Sequence, residues 1–216
     1  MRRLKDLEGA LQPLQRFSQA NPELEQYATS SHLASRMLWT ALQSYQEIAD
    51  QKVCDLGSGT SVLSIAAALC GADYVLGIEL DEAALATAKE NLVEAEVDQV
   101  DIIRADVAAL NVDSPLLESL KRANFDTVIM NPPFGTKKAH IDIEFLEVAS
   151  KLAGTSIYSL HKSSTRDYIE KKANSLGFRG QVLAEMRYDL PKTMSFHKKA
   201  TLDIQVDFWR FERIKK

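Results

Sequence analysis

The sequence predicts one α/β domain with a seven-stranded, mostly parallel sheet and an antiparallel last strand. Short apolar runs of strand length alternate with amphipathic helical patterns over most of the chain, which is typical of parallel β-α-β units. The last two strand-like runs have no helical pattern between them, so one of them is expected to return antiparallel at one edge of the sheet.

The N-terminal part is helical and polar. Leucines recur at spacings of three and four over residues 4–14, which predicts a helix, and a second helical pattern follows over residues 33–45. The segment between them is polar and irregular over residues 22–31.

The remaining elements follow in alternation. Strand-like runs lie at 52–56, 74–79, 100–104, 125–130, 155–160, 181–188 and 202–211. Helical patterns lie at 62–69, 82–94, 116–122 and 141–153, and a capping box at residues 164–167 opens a further helix that ends near Gly177. Five parallel strands followed by a hairpin-like pair is the arrangement of the class I methyltransferase fold, which is Rossmann-like.

Size and composition indicate a folded domain with a full core. Hydrophobic residues make up 45% and charged residues 26% of 216 residues, which are ordinary globular values. No run approaches the roughly 20 apolar residues that span a bilayer, and the first residues lack a secretory signal. Cys54 and Cys70 lie in apolar segments without metal-ligand spacing. We expect no metal site, and reduced core cysteines in a cytosolic or nuclear protein.

The tetrapeptide Asn131-Pro132-Pro133-Phe134 follows a buried strand-like run, at the end where open α/β sheets bind their ligands. Asn131 offers an amide oxygen, the rigid proline step fixes the direction of the Pro132 carbonyl, and Phe134 adds a flat apolar face. Two acceptors beside a ring suit a planar substrate with an exocyclic NH2 group, such as adenine. The alternative is a strand that is merely ended by prolines.

A glycine-rich turn follows the first strand of the sheet at residues 55–60. Gly57 and Gly59 let the backbone approach a ligand closely. The bulky Val62 replaces the third glycine of a dinucleotide motif, which disfavours a pyrophosphate. The carboxylate of Asp55 better suits a ligand with a cationic amine. A plain β-α turn is the alternative.

Acidic residues end the next two strands. Glu79 lies 24 positions after Asp55, near the spacing at which an acid binds ribose hydroxyls. Asp106 can accept a hydrogen bond from an adenine amine while Val107 packs on its ring. Such an aspartate is alternatively a turn residue. Taken together in this order, the four strand ends indicate S-adenosylmethionine binding followed by methylation of an amine.

Several longer strings resemble those of the methyltransferase-like protein 5 family, which forms N6-methyladenosine in small-subunit (18S) ribosomal RNA. They cover nearly the whole chain and lie at residues 24–38, 55–64, 128–137, 158–166, 187–191 and 196–199. The resemblance implies a single methyltransferase domain over 1–216, in which residues 1–50 form a helical extension that contributes to the cofactor pocket. It also implies a heterodimer with a small zinc-binding activator protein, and a location in the nucleus (nucleolus) and cytoplasm.

The resemblance also implies roles for individual residues. It assigns cofactor binding to Gln26, Thr29, Gly57, Thr60, Val62, Glu79, Asp106 and Val107, and catalysis to Asn131, Pro132, Pro133 and Phe134. Asp55, Gly59 and Asn131 are further cofactor-binding candidates from their places at the strand ends. The sequence departs from the family pattern at three places. They are Ala28 for proline, Thr60-Ser61 for Cys-Gly and Glu79 for aspartate. The turn must avoid positive φ at Ser61 or be slightly strained there.

The net charge of −4 argues against a protein that binds nucleic acid with its whole surface, so local clusters would have to hold RNA. The candidate residues are Lys137, His161, Lys162, His197, Lys198 and Lys199. Their alternative is a solvated surface.

Other acceptors present the same planar NH2 group. A glutamine amide in a protein or an adenine in DNA would fit the tetrapeptide equally, and only the family-specific strings favour ribosomal RNA. A scaffold that binds the cofactor without catalysis is a further alternative, although a scaffold has no need of the intact tetrapeptide.

Overall fold

A computed structural model describes residues 3–18, 20–112, 114–191 and 201–215. The strands are β1 Lys52–Leu56, β2 Tyr74–Glu79, β3 Val100–Arg104, β4 Thr127–Met130, β5 Ser156–Lys162, β6 Phe178–Pro191 and β7 Thr201–Arg213. They form one sheet in the order β3-β2-β1-β4-β5-β7-β6. β1 to β5 pair in parallel, whereas β7 is antiparallel to both β5 and β6. The predicted fold class is confirmed.

Helices cover both faces of the sheet. They are α1 Leu4–Leu11, α2 Ser31–Tyr45, α3 Val62–Leu69, α4 Glu82–Glu94, α5 Pro115–Arg122, α6 Ile141–Leu152 and α7 Arg166–Ser175. α1 to α4 pack on one face and α5 to α7 on the other. Neighbouring strand residues enter opposite core layers, as Val53 and Cys54 do in β1, because side chains alternate along a strand. No helix in the described ranges is long and apolar enough to cross a bilayer.

The predicted capping box at residues 164–167 is wrong. A 3₁₀ turn over Ser163–Thr165 comes first and α7 begins at Arg166, with no side-chain cap from Thr165. The buried carboxylate of Asp207 in β7 accepts hydrogen bonds from the Ser163 hydroxyl at 2.6 Å and from Arg166 Nε at 2.8 Å. This tertiary contact, which local sequence does not reveal, fixes where the helix starts.

The strand order reverses between β1 and β4. β1 leads through α3 to β2 on one side, and β4 leads through α6 to β5 on the other. The loops after β1 and β4 therefore diverge and leave a crevice at the carboxyl ends of the strands, which is where open α/β sheets bind ligands.

Candidate active site

Two adjoining cavities occupy this crevice. The larger has a volume of about 220 Å³ and the smaller about 30 Å³. Five residues line both cavities, namely Phe17, Tyr27, Gly57, Gly59 and Asn131, so the cavities are two parts of one site. The end of β1, the end of β4 and the chain before α2 all contribute to the junction between them.

The turn after β1 requires its two glycines. Gly57 and Gly59 have φ of +70° and +55°, in the left-handed region that side chains disfavour. A Cβ atom at Gly57 would lie 3.0 Å from the ring of Phe145, and one at Gly59 would lie 2.9 Å from the ring of Phe17. The main chain of this turn therefore forms a wall of both cavities without side chains in the way.

Ser61 takes the strained alternative. Its φ is +65° and ψ +24°, directly before α3, so a residue with a Cβ occupies the left-handed region, at a position where the family pattern has glycine. The side chain is fully buried, and its hydroxyl has no partner in the described part of the chain. The turn thus retains a left-handed residue at this position, and the Cβ of Ser61 makes that conformation energetically unfavourable.

Glu79, at the end of β2, joins the glycine turn to the larger cavity. Its Oε2 accepts a hydrogen bond from the Gly59 N–H at 2.8 Å, and its Oε1 accepts from the N–H groups of Leu80 and Asp81, both at 2.8 Å. The additional methylene relative to aspartate allows this reach across the turn. Since a carboxylate accepts about four hydrogen bonds, roughly one position remains for a ribose hydroxyl.

Asp106 and Val107, after β3, line the larger cavity. Asp106 Oδ1 accepts a hydrogen bond from the Ala108 N–H at 2.9 Å, so this residue both forms a turn and faces the cavity. Val107 is 4% exposed and contributes an apolar wall beside it. Acid and apolar surface thus lie together, as an adenine ring with an amine requires.

Asp55 lies behind the glycine turn rather than in a cavity wall. Its side chain is fully buried, and Oδ2 accepts a hydrogen bond from the Ser64 hydroxyl at 2.6 Å. Oδ1 has no partner within the described residues. Burial raises the pKa of Asp55 to about 7, and nearby Glu79 adds to the rise. A nearby cation would stabilise its charged form.

Residues 15–18 and 20–29, which we call the strap, contribute walls to both cavities. Gln26 lines the larger cavity, and its Oε1 accepts a hydrogen bond from the Asn21 N–H at 2.7 Å. Its Nε2 is buried without a partner among the residues described. An amide donor left in this way fits a ligand with acceptor groups. With the glycine turn and Glu79, the residues present fit S-adenosylmethionine.

The strap follows the segment 131–137, which we call the acceptor loop, in an antiparallel direction. Asn131 Nδ2 donates to the Thr29 hydroxyl at 3.0 Å. The ring of Tyr27 stacks on Phe134 with centroids 6.0 Å apart. Further along, the Lys137 N–H donates to Glu25 Oε1 at 2.8 Å. Alternate strap residues thus bind the acceptor loop. Thr29 and Gln26 also line the smaller and larger cavities, respectively.

The tetrapeptide is divided between cavity and core. Asn131 and Pro133 line the larger cavity, whereas Pro132 is buried. The ring of Phe134 is 1% exposed and covered by Tyr27, so it does not offer a face to a base in this arrangement. Tyr27, which lines both cavities, presents the aromatic surface instead.

The predicted RNA contacts differ in their surroundings. His161 is fully buried between Asp142 Oδ2 at 3.3 Å and the Ser159 hydroxyl at 3.0 Å, so its prediction as a phosphate contact is wrong. Lys137 Nζ forms an ion pair with Glu23 at 3.0 Å. Lys162 lines a surface groove beside α7. His197, Lys198 and Lys199 lie outside the described residues.

Thr60 and Val62 line the smaller cavity together with Thr29. Sequence reasoning missed Phe17, Glu25, Tyr27 and Phe145 as residues of the site. Phe17 is a lone aromatic residue in a polar stretch that has no periodicity, which is the signal that could have identified it. Phe145 follows the helical pattern of α6 and gives no sign of its contact with Gly57.

Comparisons with known proteins identify the family of the chain. The methyltransferase small domain matches residues 29–154. The rRNA N(6)-adenosine-methyltransferase METTL5 of Danio rerio is 46% identical over 97% of this chain and 98% of its own length. The rRNA N(6)-adenosine-methyltransferase Mettl5 of Drosophila melanogaster is 47% identical over 97% of this chain and 96% of its own.

Among solved structures, a Pyrococcus horikoshii protein assigned as an RNA methyltransferase is 35% identical and superposes with a TM-score of 0.84 over the full length of both chains. Fold, glycine turn, strand-end acids and near full-length identity all agree. The chain therefore belongs to the methyltransferase-like protein 5 family and is an S-adenosylmethionine-dependent methyltransferase.

Proposed function

We propose that this enzyme methylates N6 of an adenosine in small-subunit (18S) ribosomal RNA. The observation that carries the proposal is the position of Asn131, which lies at the junction of the two cavities and is held by Thr29. The near full-length relatives from Danio rerio and Drosophila melanogaster, both rRNA N(6)-adenosine-methyltransferases, support ribosomal RNA as the substrate.

Alignment is the main task of the protein in this reaction. S-adenosylmethionine, when bound, supplies a methyl group that is already electrophilic. The N6 lone pair of adenine is delocalised into the ring, so the protein must make it available. Hydrogen bonds from N6–H to the Asn131 side-chain oxygen and the Pro132 carbonyl favour a pyramidal nitrogen and stabilise its developing positive charge.

Thr29 orients the Asn131 amide for this role. Because the Thr29 hydroxyl accepts from Asn131 Nδ2, the opposite side of the amide carries the oxygen acceptor. The target adenine reaches this acceptor only from a single strand or after being flipped from a helix. Lys162 and the basic run 197–199 are proposed to bind phosphates of the same RNA.

Removal of the Asn131 side chain tests the mechanism. We expect Asn131→Ala to retain S-adenosylmethionine binding but to lose about 100-fold or more in methyl transfer. Thr29→Val should weaken transfer through the same amide, and Thr29→Ser should restore it. Normal turnover in Asn131→Ala would remove this residue from the mechanism.

The acceptor is tested with labelled donor. Transfer of labelled methyl from S-adenosylmethionine to total RNA and to total protein extract, in parallel, separates RNA methylation from amide methylation. Label in 18S RNA that digests to N6-methyladenosine is expected. Label in protein alone would contradict the proposal.

We further propose that the enzyme works as a heterodimer with a small zinc-binding activator, in the nucleolus and the cytoplasm. β3 is an edge strand, so its outer main-chain groups have no strand partner in the described ranges. Ile102 and Ile103 in this strand are partly buried, and Val112 nearby in sequence is 67% exposed. Such an edge favours the addition of a partner strand. Co-purification with a zinc protein, and imaging of the tagged chain, test both statements.

A further inference from the structure

Phe17 lies at the junction of the two cavities. Its ring lines both of them and packs against Gly59, where an added Cβ would lie 2.9 Å from Phe17 Cζ. The candidate residues for the nucleoside, Glu79 and Asp106, line the larger cavity, and Thr60 lines the smaller. A donor that contacts all of them extends across the junction, and so passes the ring of Phe17.

The main chain beside Phe17 is fastened by a buried asparagine. Asn91 in α4 is 1% exposed, and its Oδ1 accepts from the Gln15 N–H at 2.7 Å while its Nδ2 donates to the Gln15 carbonyl at 3.0 Å. Its Nδ2 also donates to the Thr60 carbonyl at 2.9 Å. One side chain therefore joins the strap, two residues before Phe17, to the glycine turn.

This arrangement needs an amide. A carboxylate at position 91 would accept from the Gln15 N–H but repel the carbonyls of Gln15 and Thr60, and an apolar side chain would leave all three groups without partners. The Gln15 side chain has no part in the fastening. It donates to Glu90 at the surface instead.

We propose that Phe17 is a donor-binding residue that covers S-adenosylmethionine at the junction of the cavities, and that Asn91 is the positioning residue that holds it there. The ring excludes water from the reacting region, where water would weaken the hydrogen bonds from N6–H to the Asn131 side-chain oxygen and the Pro132 carbonyl. The inference concerns the donor site and does not depend on which adenosine or which RNA is methylated.

Donor affinity without RNA tests the proposal, so that its outcome is independent of the acceptor. By titration calorimetry we expect Phe17→Ala to raise the Kd for both S-adenosylmethionine and S-adenosylhomocysteine about tenfold, through loss of a buried aromatic contact. Asn91→Asp should raise both values similarly. An unchanged or lower Kd in Phe17→Ala would overturn the role of Phe17.

Gln15→Ala is the matched control. It changes the residue that Asn91 holds but retains its main chain, so donor affinity should stay within about twofold of the wild type. A loss equal to that of Asn91→Asp would show that the side chain, and not the fastening, matters. Thermal melting of each variant verifies that it is folded.

The double variant Phe17→Ala with Asn91→Asp tests whether Asn91 affects donor binding through Phe17 or through Thr60. If Asn91 acts through Phe17, the combined substitutions should weaken binding hardly more than either alone. Fully additive losses would mean that Asn91 acts through Thr60 only, which would contradict its proposed role.

Limited proteolysis with trypsin provides a second measurement. Arg16 is exposed in the strap directly before Phe17. S-adenosylmethionine should slow cleavage of the Arg16–Phe17 bond in the wild type, and do so much less in Asn91→Asp. Equal cleavage with and without the donor would contradict the proposal that Phe17 covers it.

Discussion

Single residues set the chemistry of this site through contacts that are distant in sequence. Asn131 is oriented by Thr29, and Glu79 fastens the glycine turn through Gly59. The additional methylene of Glu79 is not merely tolerated, since it makes the contact to the turn. Because three main-chain N–H groups donate to the Glu79 carboxylate, fewer of its acceptor positions remain for a ligand.

Replacement of Ser61 by glycine is expected to stabilise the folded protein. Since its φ of +65° strains any residue with a Cβ, Ser61→Gly should raise the free energy of unfolding by about 1 kcal/mol. For a chain of this size that is about 2–4 °C in Tm. Ser61→Ala is the control, because it removes the buried hydroxyl and keeps the strain. If alanine stabilises as much as glycine, the hydroxyl and not the backbone is responsible.

Asp55 predicts a pH-dependent stability. Burial raises its pKa to about 7 in the folded chain, above about 3.9 in an unfolded one, so its ionisation lowers stability as pH rises between these values. Without donor, Asp55→Asn should therefore stabilise the protein more at pH 8 than at pH 5, by roughly 3 kcal/mol at most. Urea unfolding at both pH values measures this.

Exposed Asp98→Asn is the control for that experiment, since it changes the same charge in solvent. Equal effects of Asp55→Asn at the two pH values would contradict a pKa near neutrality.

At the scale of elements, the strap is the part that unites the site. It supplies walls to both cavities, and Glu25, Tyr27 and Thr29 bind three positions of the acceptor loop. Donor site and acceptor loop consequently share one segment of chain. Movement of the strap would affect both of them at once.

Removal of the Tyr27 ring tests this sharing. Tyr27→Ala loses the stack on Phe134, so the acceptor loop should become less ordered, and kcat/KM should fall about tenfold or more. Trypsin should then cleave faster after Lys137 and Lys138. Tyr27→Phe keeps the ring and should retain most activity. If the alanine variant shows unchanged cleavage, the stack does not hold the loop.

The elements themselves were largely predictable. The bounds of β1, β2, β3, α3 and α4 agree with the sequence patterns, because apolar periodicity and the turns at each end act locally. The start of α7 was not predictable, since Asp207 in a distant strand fixes it. The contacts of the strap could not be predicted either, because the strap has no periodic pattern and its partners Asn91 and Asn131 follow 76 and 102 residues later.

At the scale of the whole molecule, we expect the proposed activator to bind at the edge strand β3. If a partner strand adds there, a charge at the exposed Val112 should reduce co-purification of the proposed zinc-binding activator about tenfold or more. Ile214→Lys is the control, because Ile214 is 50% exposed beside the opposite edge of the sheet. Equal loss in Val112→Lys and Ile214→Lys would contradict a surface at β3.

Strand order at the other side constrains how the chain is made. β7 is later in sequence than β5 and β6 but lies between them. Until β7 is translated, β5 is therefore paired along one side only, with β4, and β6 has no strand partner in the sheet. A nonsense mutation ahead of Thr201 would thus expose the edge of β5 and leave β6 unpaired, and aggregation or degradation is the expected fate of such a product.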